Sequence, residues 1–279
     1  MDILEENPLS TDLVGLVALV TGGSSGIGEG AALALAAQGA ALAVHGLDKA
    51  GAESVAARIR ASGGRAIAVG GAIEDPATSQ AAVAATVAEF GRLDVLVTSA
   101  GVQRYGDTVS TTEAEWDEVL DVNAKGVYLV AHESLPYIRK SPAGSVVVVA
   151  SVQGSAAQAN VVAYAASKGA LLAMARAMAI DEAAYDIRVN TVSPGSVDTP
   201  MLREAAVRWS DGSPEGVERT IANWGTAHAL GRVATIAEIG EVIAFVAGTR
   251  ASFVTGADIR ADGGLLARIA AALPEKQDQ

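Results

Sequence analysis

The sequence predicts an α/β fold: a parallel sheet covered by helices on both faces. Three observations carry this. Short apolar runs alternate with longer helix-like stretches along the chain. Several runs are apolar throughout instead of alternating with polar residues, as strands buried on both faces are. Half of the 279 residues are hydrophobic and only 4% aromatic, with Ala, Val and Gly dominating, which suits close-packed helices on buried strands.

The strand candidates are, in order, Leu16–Val20, Ala40–Val44, Arg65–Val69, Leu93–Val97, Ser145–Ala150, Arg188–Val192 and Ala257–Arg260. Between them the helix candidates are Ile27–Gln38, Lys49–Ala61, Thr78–Phe90, Glu113–Arg139, Asn160–Tyr185 and Thr235–Gly248. Gly39, Gly63–Gly64 and Gly91 follow three of these helices, where a left-handed cap favours glycine. One region breaks the alternation. Residues 197–229 contain Trp209, Asp211-Gly212, Pro214 and Trp224 and read as a long irregular excursion, expected to act as a lid or substrate loop. No linker divides the chain and no repeat recurs, so residues 1–279 are expected to form one domain. Residues 1–12 read as an N-terminal extension and residues 266–279 as a packed tail.

Charge and composition exclude several classes. The net charge of −12 argues against nucleic acid or an anionic membrane as a partner. No stretch reaches the roughly 18 apolar residues of a membrane helix, and the acidic start MDILEENPLSTD lacks a signal-type apolar core. There are no cysteines, which is compatible with a reducing cytoplasm, the expected location. His45, His132 and His228 are scattered without a second ligand at metal spacing, so no metal is expected and each reads as structural.

The chemistry is concentrated in a few residues. Tyr164 and Lys168 stand four apart in AYAASKGAL, on one face of a helix, thirteen residues after Ser151 in VVVVASVQG. An ammonium beside a phenol favours the phenolate and draws the Tyr below its usual value of about 10. A Ser hydroxyl at the end of a strand can bond the same reacting oxygen. The set suggests proton transfer to or from an alcohol or carbonyl oxygen. Upstream, VTGGSSGIGEGAALAL places Gly22, Gly26 and Gly28 where the first strand becomes a helix, with Ser24, Ser25 and Ile27 between them. Such a turn lets backbone approach a pyrophosphate at a helix amino end.

These residues together resemble the short-chain dehydrogenase/reductase family. Further motifs occur in the family's order: Thr98–Gly101 (TSAG, containing Ser99 and Ala100), Asn123 in VLDVNAKGVYLV, Pro194-Gly195 followed by Val197 and Thr199, and Asp262–Gly264. The resemblance covers about residues 13–265. It implies a single-domain Rossmann-type, doubly wound sheet of about seven parallel strands. It also implies hydride transfer between a nicotinamide and an alcohol/carbonyl pair. Tyr164 would be general acid in reduction and base in oxidation, Lys168 would lower its pKa and hold ribose hydroxyls, Ser151 would bond the substrate oxygen, and Asn123 would hold a water. Thr199 and the backbone after Pro194-Gly195 would hold the carboxamide. A homotetramer or homodimer, paired through the long helices, is implied as well.

Two positions depart from the family pattern: Ser99 stands where Asn is commoner, and Ala72, before Ile73, where an adenine-contacting Asp often lies. The second strand ends AVHGLDKAG, so Gly46 occupies the place of the carboxylate that reads a 2′-hydroxyl. Ser25 and Leu47 occupy places where NADP enzymes carry cations. Lys49 is the nearby cation, and Asp48 is expected either to reach the ribose or to repel a phosphate. Charge complementarity favours NAD over NADP. The expected substrate wall comprises Gln103, Arg104, Tyr105, Gln153, Gln158, Asn160 and residues 197–229. Its amides and guanidinium suit a sugar or polyol, whereas Trp209 and Trp224 suit an apolar ketone, keto-ester or hydroxysteroid. A dinucleotide-binding sensor without catalysis is the alternative of a different class; such a module has no need of a phenol paired with an ammonium.

Overall fold

The computed structural model describes residues 12–269. All of the N-terminal extension but Asp12, and most of the expected packed tail, lie outside the described residues. Seven strands form one sheet: β1 (Val17–Thr21), β2 (Ala41–Gly46), β3 (Ala66–Gly70), β4 (Val95–Thr98), β5 (Ser145–Val149), β6 (Arg188–Pro194) and β7 (Asp258–Ala261). All pairings are parallel, in the order β3-β2-β1-β4-β5-β6-β7. The central strands β1, β4 and β5 are buried throughout, while β3 and β7 are partly exposed.

Helices α1 (Gly26–Ala37), α2 (Lys49–Ala61) and α3 (Pro76–Phe90) follow the first three strands. After β4 come α4 (Glu113–Leu120) and α5 (Gly126–Ile138), joined by a π-helical turn, Asp121–Lys125. Then follow α6 (Val162–Glu182), α7 (Pro200–Arg208), α8 (Pro214–Gly225) and α9 (Ile236–Ala247). The pleat separates two cores. Ala18, Val20, Leu42, Val44, Val95 and Val97 pack under α1, α2 and α9. Leu19, Ala43, Leu96, Val146 and Val148 pack under α3, α5 and α6.

The predicted strands and six predicted helices are present with small shifts at their ends. The excursion at 197–229 is not irregular: it holds α7 and α8. Pro200 and Pro214 look like breakers in sequence, but each sits at the first turn, behind caps Thr199 and Ser213 whose side chains accept from Leu202 N and Gly216 N. Ala206, Val217 and Ile221 give these helices a small core of their own. The predicted helix at 113–139 is continuous but carries the π turn, centred on Asn123.

Strand order reverses between β2–β1 and β4, so a crevice opens at the carboxyl ends of β1 and β4. The geometry of that crevice depends on very close packing. A Cβ on Gly22 would stand 2.6 Å from Ala100 N, and one on Gly28 would stand 2.2 Å from Gly22 O. Behind it, α1 and α9 meet backbone to backbone: a Cβ on Gly30 would stand 2.2 Å from Ile236 O. Gly30→Ala should therefore force these helices apart and lower stability by about 2 kcal/mol. Urea denaturation checks this, as a lower midpoint with an unchanged slope.

Candidate active site

At the carboxyl end of β5, Ser151 is held extended, and its Oγ accepts Gln153 N at 3.1 Å, closing a short 3-10 turn over Val152–Gly154. Gly154 lies against α6, where a Cβ would stand 2.8 Å from Lys168 O. This contact sets α6 so that the Tyr164 hydroxyl comes near that of Ser151, and both line one cavity. One turn on, Lys168 is 5% exposed; its Nζ donates to Val149 O at 3.0 Å and lies 5.6 Å from the centre of the Tyr164 ring.

The electrostatics differ from the sequence expectation. Burial pushes the Tyr164 phenol up to about 12; the Ser151 hydrogen bond opposes this, and Tyr105 adds to it. Burial also pulls the Lys168 ammonium down to about 8. In the free protein the phenol is therefore not lowered by its neighbour. As pH rises, the pair loses its first proton near 8, and ammonium–phenolate is a tautomer at that same protonation level.

Asn123 is fully buried at the π turn. Its Oδ1 accepts Val102 N at 2.8 Å, and its Nδ2 donates to Val102 O at 2.9 Å and to Ser167 Oγ at 3.0 Å. Ser167 Oγ in turn donates to Tyr164 O at 2.7 Å. Asn123 thus ties the segment after β4 to the helix bearing Tyr164. A Cβ on Gly101 would stand 3.3 Å from Asn123 Oδ1 and 3.8 Å from Lys168 Nζ, so both side chains converge on this segment. Ser99 and Ala100 are held from the other side, their N–H groups donating to Thr21 Oγ1 at 3.2 and 3.5 Å.

The glycine turn leads into α1 with Gly22 and Gly26 at positive φ. Ser25, the residue capping α1, makes no side-chain cap, whereas α2, α3, α7, α8 and α9 each close their first turn on an Asp, Thr or Ser. A glycine cradle at a helix amino end without a side-chain cap fits a dinucleotide's pyrophosphate. The Thr199 methyl lies beside the cradle, 3.3 Å from where a Cβ on Gly26 would stand.

At the end of β2, a Cβ on Gly46 would stand 2.7 Å from Ser24 Cβ. That approach excludes any carboxylate from position 46. Asp48 does not reach outward, because its carboxylate accepts Ala50 N and Gly51 N as the cap of α2. Leu47 is 77% exposed, and Lys49 is exposed on the first turn of α2. Ile73 buries its side chain in the core beneath α3 and α5, leaving backbone and Ala72 at the end of β3.

A cavity of about 710 Å³ opens above Ser151 and Tyr164. Gln103, Tyr105, Gln153 and Gln158 line it, as do Gly195, Val197, Thr199, Leu202, Trp209, Trp224 and Leu266. Tyr105 and Trp209 meet edge to face, with ring centres 6.0 Å apart. Gln153 Oε1 is buried and receives no hydrogen bond from any described residue. Arg104, expected on this wall, is not there. Its guanidinium pairs with Glu118 at 2.8 and 2.5 Å and faces a smaller recess beside α7. Asn160 is likewise set apart: it adopts a positive φ, and its carbonyl accepts Gly106 N at 2.9 Å. His228 is buried in the cavity wall. Among the described residues no three His, Asp or Glu side chains converge to hold a metal, and no helix is long and apolar enough to cross a membrane.

Residues 22–266 match the family model described as Enoyl-(Acyl carrier protein) reductase. The chain is 38% identical over 253 residues to Oxidoreductase UcpA of Salmonella typhimurium, covering 90% of this chain and 95% of that protein. It is 37% identical over 252 residues to cis-4-hydroxycyclohexanecarboxylate dehydrogenase of Sinomonas cyclohexanicum, covering 90% and 96%. The ligand-free aldohexose dehydrogenase of Thermoplasma acidophilum superposes with a TM-score of 0.87 at 31% identity, over 95% of this chain and all of that one. With its doubly wound sheet, glycine cradle and Ser–Tyr–Lys cluster, the chain belongs to the short-chain dehydrogenase/reductase family and is an NAD(P)-dependent oxidoreductase acting on alcohol and carbonyl groups.

Proposed function

We propose that this protein is an NAD-linked dehydrogenase of a sugar or polyol. The observation that carries the substrate class is Gln153 Oε1, a buried acceptor without a donor, two residues from Ser151 in the cavity wall. A substrate hydroxyl next to the reacting carbon satisfies it, and a site built around such a bond disfavours compounds lacking that hydroxyl. Gln103 and Gln158 supply further amides, and Tyr105, Trp209 and Trp224 supply faces for the apolar side of a ring. A second reading, reduction of an apolar cyclic ketone, is favoured by those same aromatic walls.

In this reading Ser151 and Tyr164 hold the substrate oxygen between their hydroxyls. Tyr164 takes the proton in oxidation and returns it in reduction, and Lys168 bears the charge that makes the phenolate tautomer accessible. Asn123 keeps α6 and the segment after β4 in register. A bound nicotinamide supplies the hydride acceptor or donor. Gly22, Ser24, Ser25, Gly26, Ile27 and Gly28 would hold the pyrophosphate of the dinucleotide; Gly46 and Leu47 would line its adenosine ribose; Ala72 and Ile73 would offer backbone to its adenine. Ser99, Ala100 and Gly101 would offer backbone to the dinucleotide, Lys168 would hold the second ribose, and Pro194, Gly195, Val197 and Thr199 would hold the carboxamide end. The Asp48 carboxylate at the amino end of α2 disfavours a 2′-phosphate, which supports NAD over NADP. Residues 197–229, with α7 and α8, act as the lid of one domain. Outward-facing Trp116, Tyr128, Tyr137 and Ile180 on α4–α6 support a homodimer or homotetramer built on these helices.

Four outcomes follow. Tyr164→Phe lowers turnover by about 100-fold or more while leaving NAD affinity intact; steady-state rates and calorimetry read the two effects. Oxidation requires the site to have lost a proton, so its kcat/KM rises with pH towards a limb near 8, the value of Lys168, and reduction falls through the same limb. In Lys168→Arg the guanidinium stays charged, so that limb leaves the profile. Gln153→Leu lowers kcat/KM for aldoses or polyols by about tenfold and leaves simple cyclic alcohols unchanged. The reverse preference would favour the ketone reading.

A further inference from the structure

His228 occupies the turn after α8 and is 3% exposed. Its Nε2 lies 3.0 Å from Ser196 N, whose N–H must donate, so Nε2 bears a lone pair. The ring proton is then on Nδ1, which faces Trp224 O at 3.3 Å. The imidazole therefore bridges two elements that no strand joins: the segment leaving β6 and the last turn of the lid helix α8. It also fits closely between two glycines. A Cβ on Gly195 would stand 2.7 Å from Nε2, and one on Gly263, where φ is +56°, would stand 3.4 Å from the His228 Cβ. Ser196 has a second tie, its carbonyl accepting Ala234 N at 2.9 Å, but its N–H depends on the imidazole.

We infer that His228 is a positioning residue. It fixes the Gly195–Val197 backbone and couples it to the lid through Trp224. The argument has three steps. First, Gly195, Ser196, Val197, Trp224 and His228 all line the cavity above Ser151 and Tyr164, so a shift in this backbone changes the wall of that cavity. Second, an apolar side chain of similar size takes away the acceptor of the half-buried Ser196 N–H, and the segment is then free to shift towards another partner. Third, Trp224 connects to the same imidazole, so closure of α8 over a ligand is transmitted to Ser196 through one hydrogen-bonded ring. The inference rests on the proposal that Gly195–Val197 holds the nicotinamide end of the cofactor. His228 itself does not touch reacting atoms.

The test compares two ligands in the full-length protein by titration calorimetry: NADH, and ADP-ribose, which lacks the nicotinamide. His228→Leu should leave ADP-ribose affinity within about twofold while weakening NADH about tenfold, the loss expected when one hydrogen bond that fixes this segment is removed. His228→Gln, whose amide oxygen can accept from Ser196, should restore NADH binding. If His228→Leu does not fold, His228→Met makes the same comparison. Unchanged NADH affinity in the apolar variant overturns the inference, as does equal weakening of both ligands in the apolar and Gln variants, which marks a merely structural role. If the unsubstituted protein binds both ligands equally, the placement of nicotinamide on this segment is wrong, and the role of His228 falls with it.

Discussion

A lysine ammonium held inside the carboxyl edge of the sheet, bonded to one strand carbonyl and set beside a phenol, is the constraint around which this site is organised. Removing such a charge from water is unfavourable unless the site gives it partners or lets it lose its proton. Here Lys168 has Val149 O, and burial moves it to about 8. Tyr164 is moved the opposite way by the same burial, to about 12. Two groups that would separately titrate near 10 are thereby separated into a readily lost and a tightly held proton. Chemistry at the substrate oxygen needs a group that can change protonation near neutral pH, and the pair has one.

Holding these groups to the required geometry falls to elements far apart in sequence. Asn123 bonds the backbone of Val102 and the hydroxyl of Ser167, and Ser167 bonds the carbonyl of Tyr164. The extra residue of the π turn is the local consequence: the helix opens where its Asn must reach across to the neighbouring segment. On the other side, Thr21 at the end of β1 anchors Ser99 and Ala100. The cradle for the dinucleotide and the proton-handling residues are therefore linked through one short stretch of backbone, residues 98–102.

Much of this was legible in the sequence, for physical reasons. Strands buried on both faces read as unbroken apolar runs, and the end of α2 is marked by the glycines that follow it. Tyr164, Lys168 and Ser151 could be grouped because helix periodicity and a strand end place them locally. What escaped depended on which partner each residue takes in the fold. Arg104 looked free for a substrate, but Glu118, on the next helix, engages it. Asp48 looked free for a ribose, but the amides at the amino end of α2 occupy it. α7 and α8 were hidden because prolines that begin helices resemble those that end them. His228 could not be singled out, since its partners are the backbone atoms of Ser196 and Trp224 and no side-chain pattern records them. The direction of the Tyr164 shift was missed because a sequence shows the neighbouring ammonium but not the depth of burial.

The most direct test of the account is the titration of Lys168 itself, followed by NMR of protein labelled at its lysine side chains, with Lys168→Arg used to assign the signal. The account predicts a midpoint near 8, well below the ordinary lysine value. A midpoint at the ordinary lysine value near 10.4 would mean that burial does not perturb the ammonium. The proposed division of the two protons between Lys168 and Tyr164 would then be wrong.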